Sequence, residues 1–130
     1  MILFDTDTCV SMLRGNKTAL ARKVITGDFG RVSVITAAEL YYGAEKSAQP
    51  ETNRAKVGDF LATMPVIETN LPIAQKFGKL KAELAKDGKP LPDADILVAA
   101  TALVYGALLV TGNTRHFSRF HDLSIENWLE

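Results

Sequence analysis

The chain carries one cysteine and two histidines in 130 residues. A single thiol excludes an intrachain disulfide framework and any cysteine-rich zinc site, and it fits a reducing compartment. Cys9 therefore reads as a small packing residue. His116 and His121, in what reads as a polar loop, have no third histidine or cysteine near them in sequence, so neither is expected to bind metal. No apolar run of roughly 20 residues could span a bilayer, and the N-terminus lacks the basic, cleavable pattern of a leader. The expectation is a soluble, cytoplasmic protein with no membrane contact. Charge of one sign is also lacking: 15 basic and 15 acidic residues cancel. Nothing global marks a nucleic-acid binder, so local distribution has to decide. A glycine-rich phosphate loop, a dinucleotide fingerprint and a recognisable Ser-His-Asp set are all missing.

What is present is an ordinary globular balance, 47% hydrophobic and 23% charged, in a length that suits one domain over residues 1–130. Ile2 to Phe4 reads as a strand and Thr8 to Leu13 as the helix behind it, stopped at Gly15-Asn16. A second helix covers Thr18 to Ile25. "RVSVIT" alternates and is rich in branched residues, which predicts a strand, and "TAAELYYGAEK" predicts a helix. Residues 51–63 are helical in pattern, "PVIE" is a short strand, and Asn70 caps a long helix with Pro72 in its first turn. "ADILVAATALVYG" is apolar on nearly every face and predicts a buried helix ending at Gly106. "ALLVT" is the next strand, then a short segment through Phe117 and a final edge strand near Leu123 to Ile125. Strands alternating with helices predict an α/β fold with a mostly parallel central sheet covered on both faces.

In such sheets ligands gather beyond the carboxyl ends of the strands. Asp5 and Asp7 follow the first strand, Glu39 lies early in the helix after the second, Asp93 and Asp95 open the buried helix, and Thr111 and Asn113 follow the last main strand. Carboxylates within about 4 to 6 Å raise one another's pKa unless a cation is present. A hard divalent ion, Mg²⁺ or Mn²⁺, would neutralise them and suits phosphodiester hydrolysis. Each acid also has a local explanation. Thr36 to Glu39 has the form of a capping box, Asp93 stands where it could cap the buried helix, Asp95 suits the positive end of that helix, and Asp7 could cap the first helix. Asp5 has none: nothing local accounts for an acid on the end of a buried strand. Tyr41, Tyr42, Phe60 and Phe77 lie at helical spacings that suit core or interface, and Trp128 is expected to anchor the C-terminus.

With these residues placed, the chain resembles the PIN-domain ribonucleases, specifically the VapC toxins of bacterial type II toxin–antitoxin systems. The carriers are "ILFDTDTCV", "SVITAAELYYGAEKS", "LPDADILVAATAL", and "LLVTGNTRHFSRF" followed by "LSIENW", in that order along essentially the whole chain. The resemblance implies a single PIN-like domain and a Mg²⁺- or Mn²⁺-dependent endoribonuclease that cleaves structured RNA such as tRNA or rRNA loops. It also implies a homodimer and inhibition by a VapB-type antitoxin. The family's acids map to Asp5, Glu39 and Asp95. Asp5 and Asp95 would hold the metal, and Glu39 would ligate it or position the attacking water. Asn113 stands where many members carry a fourth carboxylate, and His116 where an acid often precedes the phenylalanine, which puts a second metal in doubt. Thr111 and Asn113 would support the metal or its waters, with Asp93 and Asp7 as accessory groups. Arg14, Arg115 and Arg119 are the candidates for phosphate contacts.

Two other readings compete. "DTDT" is similar to the first motif of haloacid-dehalogenase phosphatases, but Cys9 falls where Thr or Val belongs and the later Gly-Asp-Asp motif is missing. A non-catalytic RNA-binding α/β module, with the acids acting only as caps, is the other.

Overall fold

The computed structural model describes residues 1–129. Strand β1 (Ile2–Phe4) is wholly buried and leads into α1 (Thr6–Leu13) and α2 (Lys17–Thr26). Then come β2 (Val32–Ser33), α3 (Val34–Glu45), α4 (Pro50–Leu61) and β3 (Val66–Ile67). The C-terminal half is α5 (Leu71–Lys86), α6 (Asp93–Tyr105), β4 (Leu108–Val110), α7 (Thr114–Phe117) and β5 (Ile125–Glu126).

All pairings are parallel. β4 lies between β1 and β5, β2 pairs with β3, and a bridge between Leu3 and Arg31 joins the two groups. At that bridge the Phe4 N–H donates to Arg31 O at 2.8 Å and the Arg31 N–H to Ile2 O at 2.9 Å. The resulting order, β3-β2-β1-β4-β5, sends the residues after β1, β2 and β4 to one edge. Side chains alternate across the sheet. Leu3 and Leu109 enter the core under α5 and α6, whereas Ile2, Phe4 and Val110 face Cys9, Met12, Leu40 and Trp128 on the other side. Helices therefore cover both faces, as the alternation of elements predicts.

Local chemistry sets most boundaries. The Ala19 N–H donates to Asn16 Oδ1 at 3.0 Å, and Gly27 closes α2 in the left-handed region at φ 73°. The Ile73 N–H donates to Asn70 Oδ1 at 3.1 Å, with Pro72 in the first turn of α5. Such caps each contribute about 1 kcal/mol. Gly30, at φ 76°, passes so close to the Phe4 ring that any β-carbon there would overlap it.

Several expectations are corrected. "RVSVIT" is not strand throughout: after the Arg31 bridge only Val32–Ser33 is strand, because Ser33 caps α3 by accepting from the Thr36 N–H at 3.1 Å. The cap at Ser33 removes the capping box too, since Glu39 then lies in the second turn of α3. α1 begins at Thr6 with Asp5 at its cap position, so Asp7 is no cap. α6 has Pro92 at its cap position, and exposed Asp93 pairs with Lys81 Nζ at 2.9 Å instead of capping. Tyr42 is not core but 66% exposed. Cys9 is fully buried as expected, and Trp128 packs edge-on against Phe4 with ring centroids 5.4 Å apart.

Candidate active site

Asp5 stands where β1 ends. Its N–H continues the ladder to Val110 O at 2.9 Å, which sets the carboxyl beside the segment after β4. The Thr111 hydroxyl donates to Asp5 Oδ2 at 2.8 Å, and the Asn113 N–H donates to Thr111 Oγ1 at 2.9 Å. Only 7% of Asp5 is exposed. Burial, with the negative charges of Asp7 and Asp95 behind it, pushes its pKa from 3.8 to about 6 despite the Thr111 hydrogen bond. The charges that bear on Asp5 thus come from α1 and α6.

Asp7, partly buried, has a backbone donor: the Gly112 N–H donates to its Oδ2 at 2.9 Å. It pins the turn after β4 to α1. Glu39, on the exposed face of α3, joins the same edge through Thr6, whose hydroxyl donates to Glu39 Oε1 at 2.7 Å. The Thr36 hydroxyl lies 3.3 Å from the same Thr6 oxygen. Asp95, in the first turn of α6, meets α7: its Oδ2 is 2.9 Å from His116 Nδ1, which is also 3.0 Å from Asn113 Nδ2.

Asp5, Asp7, Asp95, Thr111 and Asn113 therefore converge, with Glu39 attached at the rim. Asp93 does not join them; its salt bridge with Lys81 lies on the exposed flank of α5 and α6. Among the described residues, no three His, Cys, Asp or Glu side chains are drawn together tightly enough to cage an ion. The donor chemistry still fits a hard divalent cation. The groups are oxygen-rich, and the buried Asp5 carboxyl bears unfavourable charge from two neighbours, which a cation keeping several of its waters would relieve. The sequence offers no signal for Thr6, and for His116 it predicts a loop residue without a metal role. His116 lies in α7, not in a loop, and its place one residue before buried Phe117 was the available signal.

Of the basic candidates, Arg14 shares a cleft of about 530 Å³ with Thr6, Glu39, Tyr42, Lys46 and Asn53. Arg115 is exposed on α7. Arg119 is separate: it lines a cavity of about 320 Å³ with Lys76, Lys79, Glu83, His121 and Asp122.

The PIN domain family model matches residues 2–123. The chain belongs to the PIN-domain family, among the VapC ribonucleases. It is 48% identical over 98 residues to Ribonuclease VapC2 of Haemophilus influenzae, covering 75% of this chain and 74% of that one. To the tRNA(fMet)-specific endonuclease VapC of Shigella flexneri it is 36% identical over 128 residues, 97% and 96% of the two chains. The crystal structure of DNA-bound VapBC from Salmonella typhimurium superposes with TM-score 0.92 at 34% identity, over 98% of this chain and 97% of that one. Among the described residues, no helix of this VapC-type chain is long and apolar enough to cross a membrane.

Proposed function

We propose that this PIN-domain protein is a metal-dependent endoribonuclease toxin, hydrolysing phosphodiester bonds of structured RNA such as tRNA or rRNA. The observation that carries the reading is the Asp5 carboxyl, buried at the sheet edge under the charges of Asp7 and Asp95 and fixed by Thr111. Asp5 and Asp95 would hold a Mg²⁺ or Mn²⁺ ion. Such an ion, when bound, supplies charge neutralisation at the phosphate and acidifies water in its shell.

The chain's own residues do the rest. Thr111 orients Asp5, and Asp7 holds the turn that carries Thr111 and Asn113. Glu39, whose Oε1 accepts from the Thr6 hydroxyl, would ligate the ion or orient the attacking water and take its proton. Arg14, along the same cleft, meets the phosphate backbone, and Arg115 extends that contact beyond α7. A VapB-type antitoxin is the expected partner, which the VapBC structures among its neighbours support, and a homodimer is what the family resemblance implies. The phosphatase reading lacks support in the comparisons, which name ribonucleases.

Purified protein incubated with total tRNA and Mg²⁺ or Mn²⁺ is expected to release discrete fragments and to stop with chelator. Asp5→Asn and Asp95→Asn should each abolish cleavage while circular dichroism stays unchanged. Cleavage retained by both variants, or hydrolysis of a phosphomonoester in place of RNA, overturns the reading.

A further inference from the structure

His116 is one of two histidines in the chain, and its surroundings are unlike those of the other. His121 lines the separate cavity with Arg119, Glu83 and Asp122, which includes none of Asp5, Asp7 and Asp95. His116 Nδ1 stands 2.9 Å from Asp95 Oδ2 and 3.0 Å from the Asn113 side-chain amide.

An imidazole nitrogen offers either a proton or a lone pair. The Asp95 carboxylate needs the proton and the Asn113 amide nitrogen needs the lone pair, so no tautomer serves both. Turning the amide over lets one Nδ1–H be shared between two oxygens as a three-centre hydrogen bond. Either way, three heteroatoms from two helices and the turn before them close on one point.

Their spacing has a second meaning. Adjacent ligands of an octahedral ion with bonds of about 2.1 Å lie about 3 Å apart. The 2.9 Å between Asp95 Oδ2 and His116 Nδ1 matches that edge. The ring is held there by α7, whose next residue, Phe117, is fully buried. The Asn113 N–H ties the start of α7 to Thr111, and Thr111 to Asp5.

We propose that His116 Nδ1 is a nitrogen ligand of the divalent ion at this site, beside Asp95, and that it biases the site toward Mn²⁺ over Mg²⁺; the proposal rests on the metal-dependent reading of the acids. Mg²⁺ takes oxygen ligands in near-ideal geometry, whereas imidazole suits transition-metal ions. With Nδ1 on the ion the ring carries its proton on Nε2.

The test uses the untagged full chain, with Mn²⁺ and Mg²⁺ alone as probes, read by calorimetry and by pulsed electron paramagnetic resonance of the Mn²⁺-loaded protein. Mn²⁺ is expected to bind at least tenfold more tightly than Mg²⁺ and to show coupling to a nitrogen nucleus. His116→Ala should lose the coupling and most of the Mn²⁺ preference, His121→Ala should keep both, and His116→Glu should bring the two affinities near parity. Mn²⁺ binding that needs Asp5 and Asp95 but shows no nitrogen coupling, and is unchanged in His116→Ala, overturns the ligand assignment and leaves the metal site standing. No binding, or binding indifferent to Asp5→Asn and Asp95→Asn, overturns the metal reading itself and this proposal with it.

Discussion

The Thr111 hydroxyl donates to Asp5 Oδ2 at 2.8 Å, joining residues 106 positions apart at the carboxyl ends of adjacent parallel strands. Both side chains are buried, so solvent cannot replace the bond if one partner is lost. Thr111→Val keeps the volume and removes the donor. It should destabilise the protein at pH 7 by about 2 kcal/mol, the range for a buried hydrogen bond to a charged group. It should also move the acid limb of the cleavage–pH profile upward, because the hydrogen bond holds the Asp5 pKa down. A denaturant titration and a pH–rate profile of the variant check both.

Asp5 makes stability depend on pH in an unusual direction for a carboxylate. Its folded pKa, about 6, lies above the ordinary 3.8, so the folded state holds the proton more tightly than the unfolded chain. That stabilisation is complete below about pH 3.8 and is lost as pH rises through about 6. In chelator, Asp5→Asn should therefore be more stable than the parent at pH 7 by about 2 to 3 kcal/mol, and the gain should shrink toward pH 4. Metal should stabilise the parent at pH 7 and leave the variant unchanged. Thermal melts at the two pH values, with and without Mn²⁺, measure each difference.

Gly112 leaves little room for a side chain unless the ends of Leu129 and Asp7 move. A β-carbon there would come within 2.7 Å of Leu129 Cδ1 and 2.8 Å of Asp7 Oδ2. Gly112→Ala should push Asp7 off the turn that carries Thr111 and Asn113, costing about 1 to 3 kcal/mol. Cleavage should fall at least tenfold with the circular dichroism spectrum intact. Activity at the parent level would show that the Asp7–Gly112 contact does not matter to the site.

Asp93 should be dispensable. Its salt bridge with Lys81 is more than half exposed on both sides, and exposed pairs contribute roughly 0 to 1 kcal/mol. Asp93→Asn and Lys81→Ala should each cleave RNA at the parent rate and melt within a few degrees of it. A large loss in Asp93→Asn alone would return that residue to the site.

Much of the architecture is legible along the chain because the signals are local. Branched and apolar runs mark the strands, Asn70 marks a helix start, and Gly27 and Gly106 mark helix ends, whereas Asn16 reads only as a stop although it caps α2. The reading failed where two local signals overlapped. Val34 and Ile35 favour a strand, but Ser33 immediately before them caps a helix, and the cap prevailed. The starts of α3 at Val34 and α6 at Asp93 leave Glu39 and Asp93 without the capping roles their spacing suggests.

Asp5 shows what the sequence by itself determined: its position at the sheet edge follows from the buried strand that precedes it, whereas its place at the cap position of α1 depends on where that helix starts. The parallel order of elements likewise follows from strand–helix alternation, since each crossover must return the chain to the same edge. Only the tertiary structure decided how the acids differ from one another. Asp7 meets Gly112 across 105 positions, Asp95 meets His116 across 21, and Glu39 reaches the edge through Thr6 across 33. Arg119 faces another cavity. Such pairings depend on the register and tilt of packed elements, which set side-chain distances to within an ångström, and no spacing along the chain encodes them.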